Sequence, residues 1–224
     1  RHNWPSSPDS FLVTVDLSYV AKSNKYVMLG YMNDAVASIE RIQLIAARML
    51  ATHPVGQGLC LVGGFRYRLL NEGARASGDI DYHWEGDLQK KQKEIVEAFQ
   101  SKLLPEVRRQ LGYDGDVRPA AGPDAELPVV RTVELAFCRT EEPGSRIEIP
   151  VDILCVARLD SPIVRTMAGT VFLTVSDADM IESKVLACFS RSFLQVRDVL
   201  DIFLFQDALR PDSPGRLSQK LSKL

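Results

Sequence analysis

No two cysteines in this chain are spaced like a metal knuckle. Cys60, Cys138, Cys155 and Cys188 are scattered, with no CxxC pair and no Cys/His cluster, which argues against a zinc site. Each lies in an apolar stretch such as GLCLV or DILCV, the setting of buried, reduced thiols in a cytoplasmic protein. There is no apolar run of the roughly 18 residues that a membrane helix needs, and no leader-type segment is evident. Charge of one sign is also lacking: 27 Lys+Arg face 29 Asp+Glu, a net charge of −2. That excludes the global basic field of a DNA-coating protein and leaves room for a local basic groove. The chain opens on Arg1 rather than a methionine, which leaves room for a preceding segment.

What is present is enough apolar residue, 46% of 224, to bury a substantial core. Residues 1–10 are polar and rich in Pro and Ser, an expected mobile lead-in. The alternation of Phe11, Val13, Val15 and Leu17 suits a short strand. Residues 31–52 keep helical spacing through Val36, Ile39, Ile42, Ile45, Ala46 and Leu50, with Pro54 as a stop. GLCLVG (58–63) reads as a buried strand, FRYRLLNE as a helix, and SGDIDYHW (77–84) as a strand. Residues 87–112 read as a long amphipathic helix between an Asp87 cap and Gly112. A short strand and a Pro/Gly/Asp-rich loop follow over 113–128. Residues 129–139 and 145–157 are expected to pair as an antiparallel hairpin across TEEPG. VFLTVS is one more short strand or a lead-in. Helices are expected at about 177–190 and 193–209, and then a polar tail that frays. The whole reads as an α+β fold with a mixed sheet: an N-terminal lead-in and helix (1–57), a core (58–176) and a helical C-terminal part (177–224).

The functional question lies in GGFRYRLLNEGARASGDIDYHW, residues 63–84. In a strand, residues i and i+2 face the same side, so Asp79 and Asp81 project together while Ile80 turns to the core. Two neighbouring carboxylates raise each other's pKa. A divalent cation would offset that, and hard carboxylate oxygens suit Mg²⁺ or Mn²⁺. A DxD pair on its own is also a common surface feature. Here it follows a strand–glycine–glycine–helix unit, where backbone amides can approach a phosphate. A third carboxylate is available in IEIPVDILCV. Asp152 alternates with Ile149, Val151 and Ile153, and Glu148 shares its phase and competes for the role. The alternative for Asp152 is a strand-end residue held by backbone amides or an arginine. Downstream, Lys184 and Arg191 are seven apart on one helical face. Lys184 either snorkels from an apolar helix or reaches a polyphosphate. Asp198 and Asp201 are expected to pair with these cations and orient them.

Taken together, Gly63-Gly64, Arg75-x-Ser77-x-Asp79-Ile80-Asp81 and Lys184…Arg197-Asp198-x-x-Asp201 resemble the AbiEii/AbiGii nucleotidyltransferase toxins of the DNA polymerase β-like superfamily. The resemblance runs from about residue 58 to 206. Phe65 stands where the family often has Thr. The resemblance implies a nucleotidyltransferase-like core and a reaction moving NMP from an NTP to an acceptor hydroxyl. It implies metal held by Asp79, Asp81 and Asp152, and phosphate contacts from Gly63, Gly64 and Ser77. Lys184 and Arg191 would neutralise the triphosphate. Relatives include toxins that act on tRNA and are neutralised by a cognate antitoxin, so RNA and an antitoxin are the implied partners. Transfer to a protein or a small molecule, and a nucleotide-binding module without catalysis, stay open beside it. For an acceptor groove, Arg66 and Arg68 lie nearest the glycine turn. Lys90, Lys91, Lys93, Lys102, Arg108 and Arg109 interleave with Glu94, Glu97 and Glu106 and read first as a solvated helix face.

Overall fold

The computed structural model describes residues 29–71, 74–120, 130–139, 146–191 and 193–222. The strand expected at 11–17, the lead-in before it, the loop at 121–128 and the TEEPG turn lie outside these. The chain divides into two units, residues 1–34 and 35–224. Helix α1 (Leu29–Thr52) opens the described part of the chain, and from Ala35 onward it belongs to the second unit.

Among the described residues seven strands form one mixed sheet: β1 (Cys60–Val62), β2 (Ile80–His83), β3 (Tyr113–Pro119), β4 (Val130–Arg139), β5 (Arg146–Leu154), β6 (Ile163–Met167) and β7 (Thr170–Thr174). Their order is β3-β4-β5-β2-β1-β7-β6. The pairs β2/β5 and β1/β7 are parallel and the rest antiparallel. The expected mixed-sheet α+β fold is therefore what the chain adopts, and β4 and β5 pair antiparallel as expected.

Alternation sorts the side chains onto two faces. Leu61, Ile80, Tyr82, Val133, Leu135, Phe137, Ile147, Ile149, Val151 and Ile153 form the main core. They pack against Ile42, Ala46, Ala47 and Leu50 of α1 and Ile95, Phe99 and Leu103 of the long helix. Burying each large aliphatic or aromatic of this set contributes about 1.5–3 kcal/mol. The opposite face carries a smaller cluster of Cys60, Val62, Tyr67, Ala74, Val175 and Met180. Val62 is the register partner of Asp81, so the carboxylates share this second face and look away from the main core.

The long helix has three parts: α3 (Leu88–Ala98), a π-helical turn (Phe99–Leu103) and α4 (Leu104–Leu111). Asp87 caps it by accepting from Lys90 N at 2.9 Å, and Gly112 ends it with φ +70°. Pro105 has no N–H to donate, and the wider turn sits directly before it.

Two elements depart from the sequence reading. β6 joins β7 across Ala168-Gly169, both at positive φ (47° and 72°), a two-residue hairpin turn. The tail is helical over most of its described residues. After α5 (Asp177–Ser190) and α6 (Val196–Phe205), residues Ser213–Leu221 form helix α7. It is fastened by charge: Arg216 contacts Asp160, Asp179 and Glu182, and the fully buried Lys220 contacts Asp179 and Glu182.

Candidate active site

The site forms where β1 passes through Gly63-Gly64 into α2 (Gly63–Leu70), beside the end of β2. Gly63 has φ +75°, and a Cβ built on it would fall 1.7 Å from Asp81 Oδ2. Only glycine both adopts that backbone and leaves the carboxylate its place. A Cβ on Gly64 would lie 2.8 Å from both Arg75 Nη2 and Ser77 Oγ. The segment leading into β2 is held from below by Gln43 of α1, whose buried amide donates to Ser77 O at 2.9 Å.

Asp81 and Asp152 are register partners on the parallel strands β2 and β5, so both carboxylates project from one face side by side. Asp79 joins the group just before β2. Its Oδ1 accepts from Ser77 Oγ at 2.6 Å, and its Oδ2 is 3.7 Å from Arg197. Asp152 Oδ1 accepts from Thr132 Oγ1 at 2.6 Å. The Asp81 carboxyl is pushed up to about 7, first by burial, then by the charges of Asp79 and Asp152, with Lys184 and Arg197 opposing. Burial likewise raises Asp152; the Thr132 hydrogen bond opposes this and Asp79 adds to it. Glu148 is elsewhere: it pairs with Arg146 at 2.9 Å. It stands four residues up β5 from Asp152, about 13 Å along a strand.

The cations come from α5 and α6. Lys184 bridges Asp198 and Asp201, both at 3.0 Å. Arg191 contacts Asp198. Arg75 holds Asp201 through two parallel bonds of 3.0 Å. Asp198 and Asp201 are thus buried anchors for three cations, the pairing that their spacing suggested. Lys184 does not snorkel to solvent; it is the hub of this network. Two pockets open on the group. One, of about 200 Å³, is lined by Gly64, Arg75, Asp79, Asp81, Asp152, Lys184 and Arg197 among others. The other, of about 180 Å³, shares Asp81, Lys184 and Arg191 with it and is walled by Val62, Leu154, Val156, Val175, Met180 and Ala187.

Gly63, Gly64, Ser77, Asp79, Asp81, Asp152, Lys184 and Arg191, the residues that the resemblance assigns to metal and phosphate, therefore lie at this one place. Arg75, Thr132 and Arg197 also lie there without having been given a role. Arg75 and Arg197 stand in the RxSxDID and RDxxD motifs, but spacing alone does not show where their guanidinium groups point. Arg66 is a correction: it is no groove residue. It is fully buried and bound to Thr174, Val175 O and Asp177, tying α2 to β7 and α5. Arg68 pairs with Glu40 at 2.8 Å. On the long helix Lys91 is buried over the Trp84 ring, and Arg108 and Arg109 pair with Asp114 and Glu106.

Among the described residues, no three Asp, Glu, His or Cys side chains enclose a single point tightly enough to hold an ion as they stand. The donor chemistry nevertheless suits a hard divalent cation. Asp81, Asp79 and Asp152 are all-oxygen donors, and burial and mutual repulsion leave Asp81 short of positive charge.

No family model and no curated protein matches the chain. Solved structures do. JHP933 from Helicobacter pylori aligns with TM-score 0.55 and 16% identity over 83% of this chain and 78% of that one. The nucleotidyltransferase toxin MenT4 from Mycobacterium tuberculosis H37Rv gives 0.58 and 15% over 82% and 63%, so the chain spans just under two thirds of MenT4. An antigenic nucleotidyltransferase-like protein from Paracoccidioides brasiliensis gives 0.50 and 13% over 82% and 86%. At such identities the likeness is one of fold, and the fold of this chain is nucleotidyltransferase-like.

Proposed function

We propose that the chain moves a nucleoside monophosphate from an NTP to an acceptor hydroxyl, as an AbiEii-like toxin acting on RNA, tRNA in particular, and restrained by a cognate antitoxin. The observation that carries the chemistry is the in-register Asp81–Asp152 pair beside Asp79, facing the Gly63-Gly64 turn and the Lys184 hub. The fold shared with nucleotidyltransferase-like structures, one of them a toxin, supports it.

In this reading Asp79, Asp81 and Asp152 hold Mg²⁺ or Mn²⁺, which supplies positive charge to the triphosphate and the entering oxygen. The chain's own residues do the rest. The amides at Gly63 and Gly64 and the Ser77 hydroxyl receive phosphate oxygens, since no Cβ crowds that turn. Lys184, Arg191 and Arg197 offset the charge of the leaving pyrophosphate. The acceptor oxygen bonds to the α-phosphorus as the bond to the β-phosphate oxygen breaks. Asp152 takes the hydroxyl proton at Oδ2, while Thr132 keeps Oδ1 in place.

The test incubates the protein with total RNA, Mg²⁺ and each labelled NTP beside Asp81→Ala. Label on RNA that the variant loses is the expected result. Label on a protein or small molecule instead would replace the acceptor. No label on any acceptor, with NTP still bound, would leave a binding module and overturn the transfer.

A further inference from the structure

Helix α6 is built inside out. Its polar residues Asp198 and Asp201 are buried, bound to Lys184, Arg191 and Arg75, and Phe205 stacks on Tyr67 with ring centroids 4.0 Å apart. Its other side is apolar and open to solvent: Val196 is 73% exposed and Phe203 69%, with Val199, Leu200 and Leu204 also exposed. Around the preceding turn Phe189, Phe193 and Leu194 are exposed as well. An ordinary surface helix has the reverse arrangement. Among the described residues nothing covers this side.

We infer that this face is where two copies of the chain associate, α6 against α6 about a two-fold axis. Two observations select a second copy. The first is area. Scaled by ordinary side-chain areas, the exposed apolar residues between 193 and 204 present on the order of 700 Å². That exceeds the few hundred Å² usual for a monomer and matches one side of a standard-sized interface. The second is spacing. Val196, Leu200 and Phe203 recur at four and three residues, a ridge that can pack against its own copy. A two-fold axis across the two helices sets them antiparallel, which aligns their dipoles favourably.

Light scattering on the full chain at micromolar concentration tests this. The wild type should weigh twice the 25.0 kDa chain. Phe203→Glu should halve that mass with an unchanged far-ultraviolet spectrum, and Val196→Glu, at the other end of the ridge, serves if the first variant misfolds. Val164→Glu, at a 68% exposed position on β6, should remain a dimer. A monomeric wild type overturns the inference and leaves the face to another partner or another segment of the chain. A dimer that survives both α6 substitutions overturns it too.

Discussion

Gly63 and Asp81 compete for one position: the space a side chain on the first would need is the space the carboxylate of the second fills, with 1.7 Å between a built Cβ and Oδ2. The glycine turn and the DxD strand are therefore one device. The turn delivers its amides to the site only because the strand's carboxylate can lie over it.

Gly63→Ala should accordingly do more harm than a typical glycine change. The backbone is at φ +75° and the carboxylate must move. Strain and displacement together are expected to cost roughly 1–3 kcal/mol. Thermal unfolding reads the loss of stability, and a transfer assay should show activity gone even below the lowered midpoint. Full activity with an unchanged midpoint would mean that the turn relaxes freely.

Asp81→Asn separates charge from shape. Burial and the neighbouring carboxylates disfavour the Asp81 anion, so an amide of the same size should leave the metal-free protein as stable as the wild type or stabilise it. Added Mg²⁺ should raise the melting temperature of the wild type and not of the variant. If the variant still responds to Mg²⁺ as the wild type does, the cation is held elsewhere.

Arg75→Lys tests the anchor behind the cations. The guanidinium meets Asp201 with two parallel bonds, a geometry that an ammonium cannot reproduce. About 1.5–3 kcal/mol should be lost, and NTP binding should weaken because Asp201 also positions Lys184. Calorimetry on the variant, folded below its midpoint, checks the second effect; unchanged affinity would confine Arg75 to a structural role.

Much of the site is legible in the sequence because strand alternation is strict. Asp79 and Asp81 share a side by period two, and Val151 and Ile153 on either side of Asp152 must face the core, which turns Asp152 towards the aspartate pair. What is not legible turns on charged residues that are buried. Arg66 and Lys220, and the half-buried Arg216, read as surface by type, yet each is bound to partners far away in sequence. The Ala168-Gly169 turn lacks the Asn-Gly or Asp-Gly signature, so nothing local announces β6. Helix α7 reads as a fraying tail because its anchors are an arginine and a lysine rather than leucines, although Pro214 in its first turn is a start signal.

That same network sets a pH limit. Asp160 is held below the usual carboxylate range first by the Ser176 hydrogen bond and then by Arg216. Burial alone would raise Asp179 and Glu182, but hydrogen bonds from Lys220 and backbone amides to Asp179, and from Arg216, Lys220 and Ser213 to Glu182, outweigh it and both are lowered. Carboxylates lowered on folding contribute stability that is full above their unfolded values of 3.8 and 4.5 and is lost as pH falls through the folded ones. The contribution of this network should therefore hold from neutrality to about pH 4.5 and be lost steeply below. Lys220→Met removes a fully buried partner and should cost about 3–5 kcal/mol at neutral pH. It should also flatten the acid limb, because Asp179 and Glu182 then titrate nearer their unfolded values. Urea midpoints measured from pH 3 to 7 on both proteins decide it: parallel curves would show that α7 is held by packing rather than by charge.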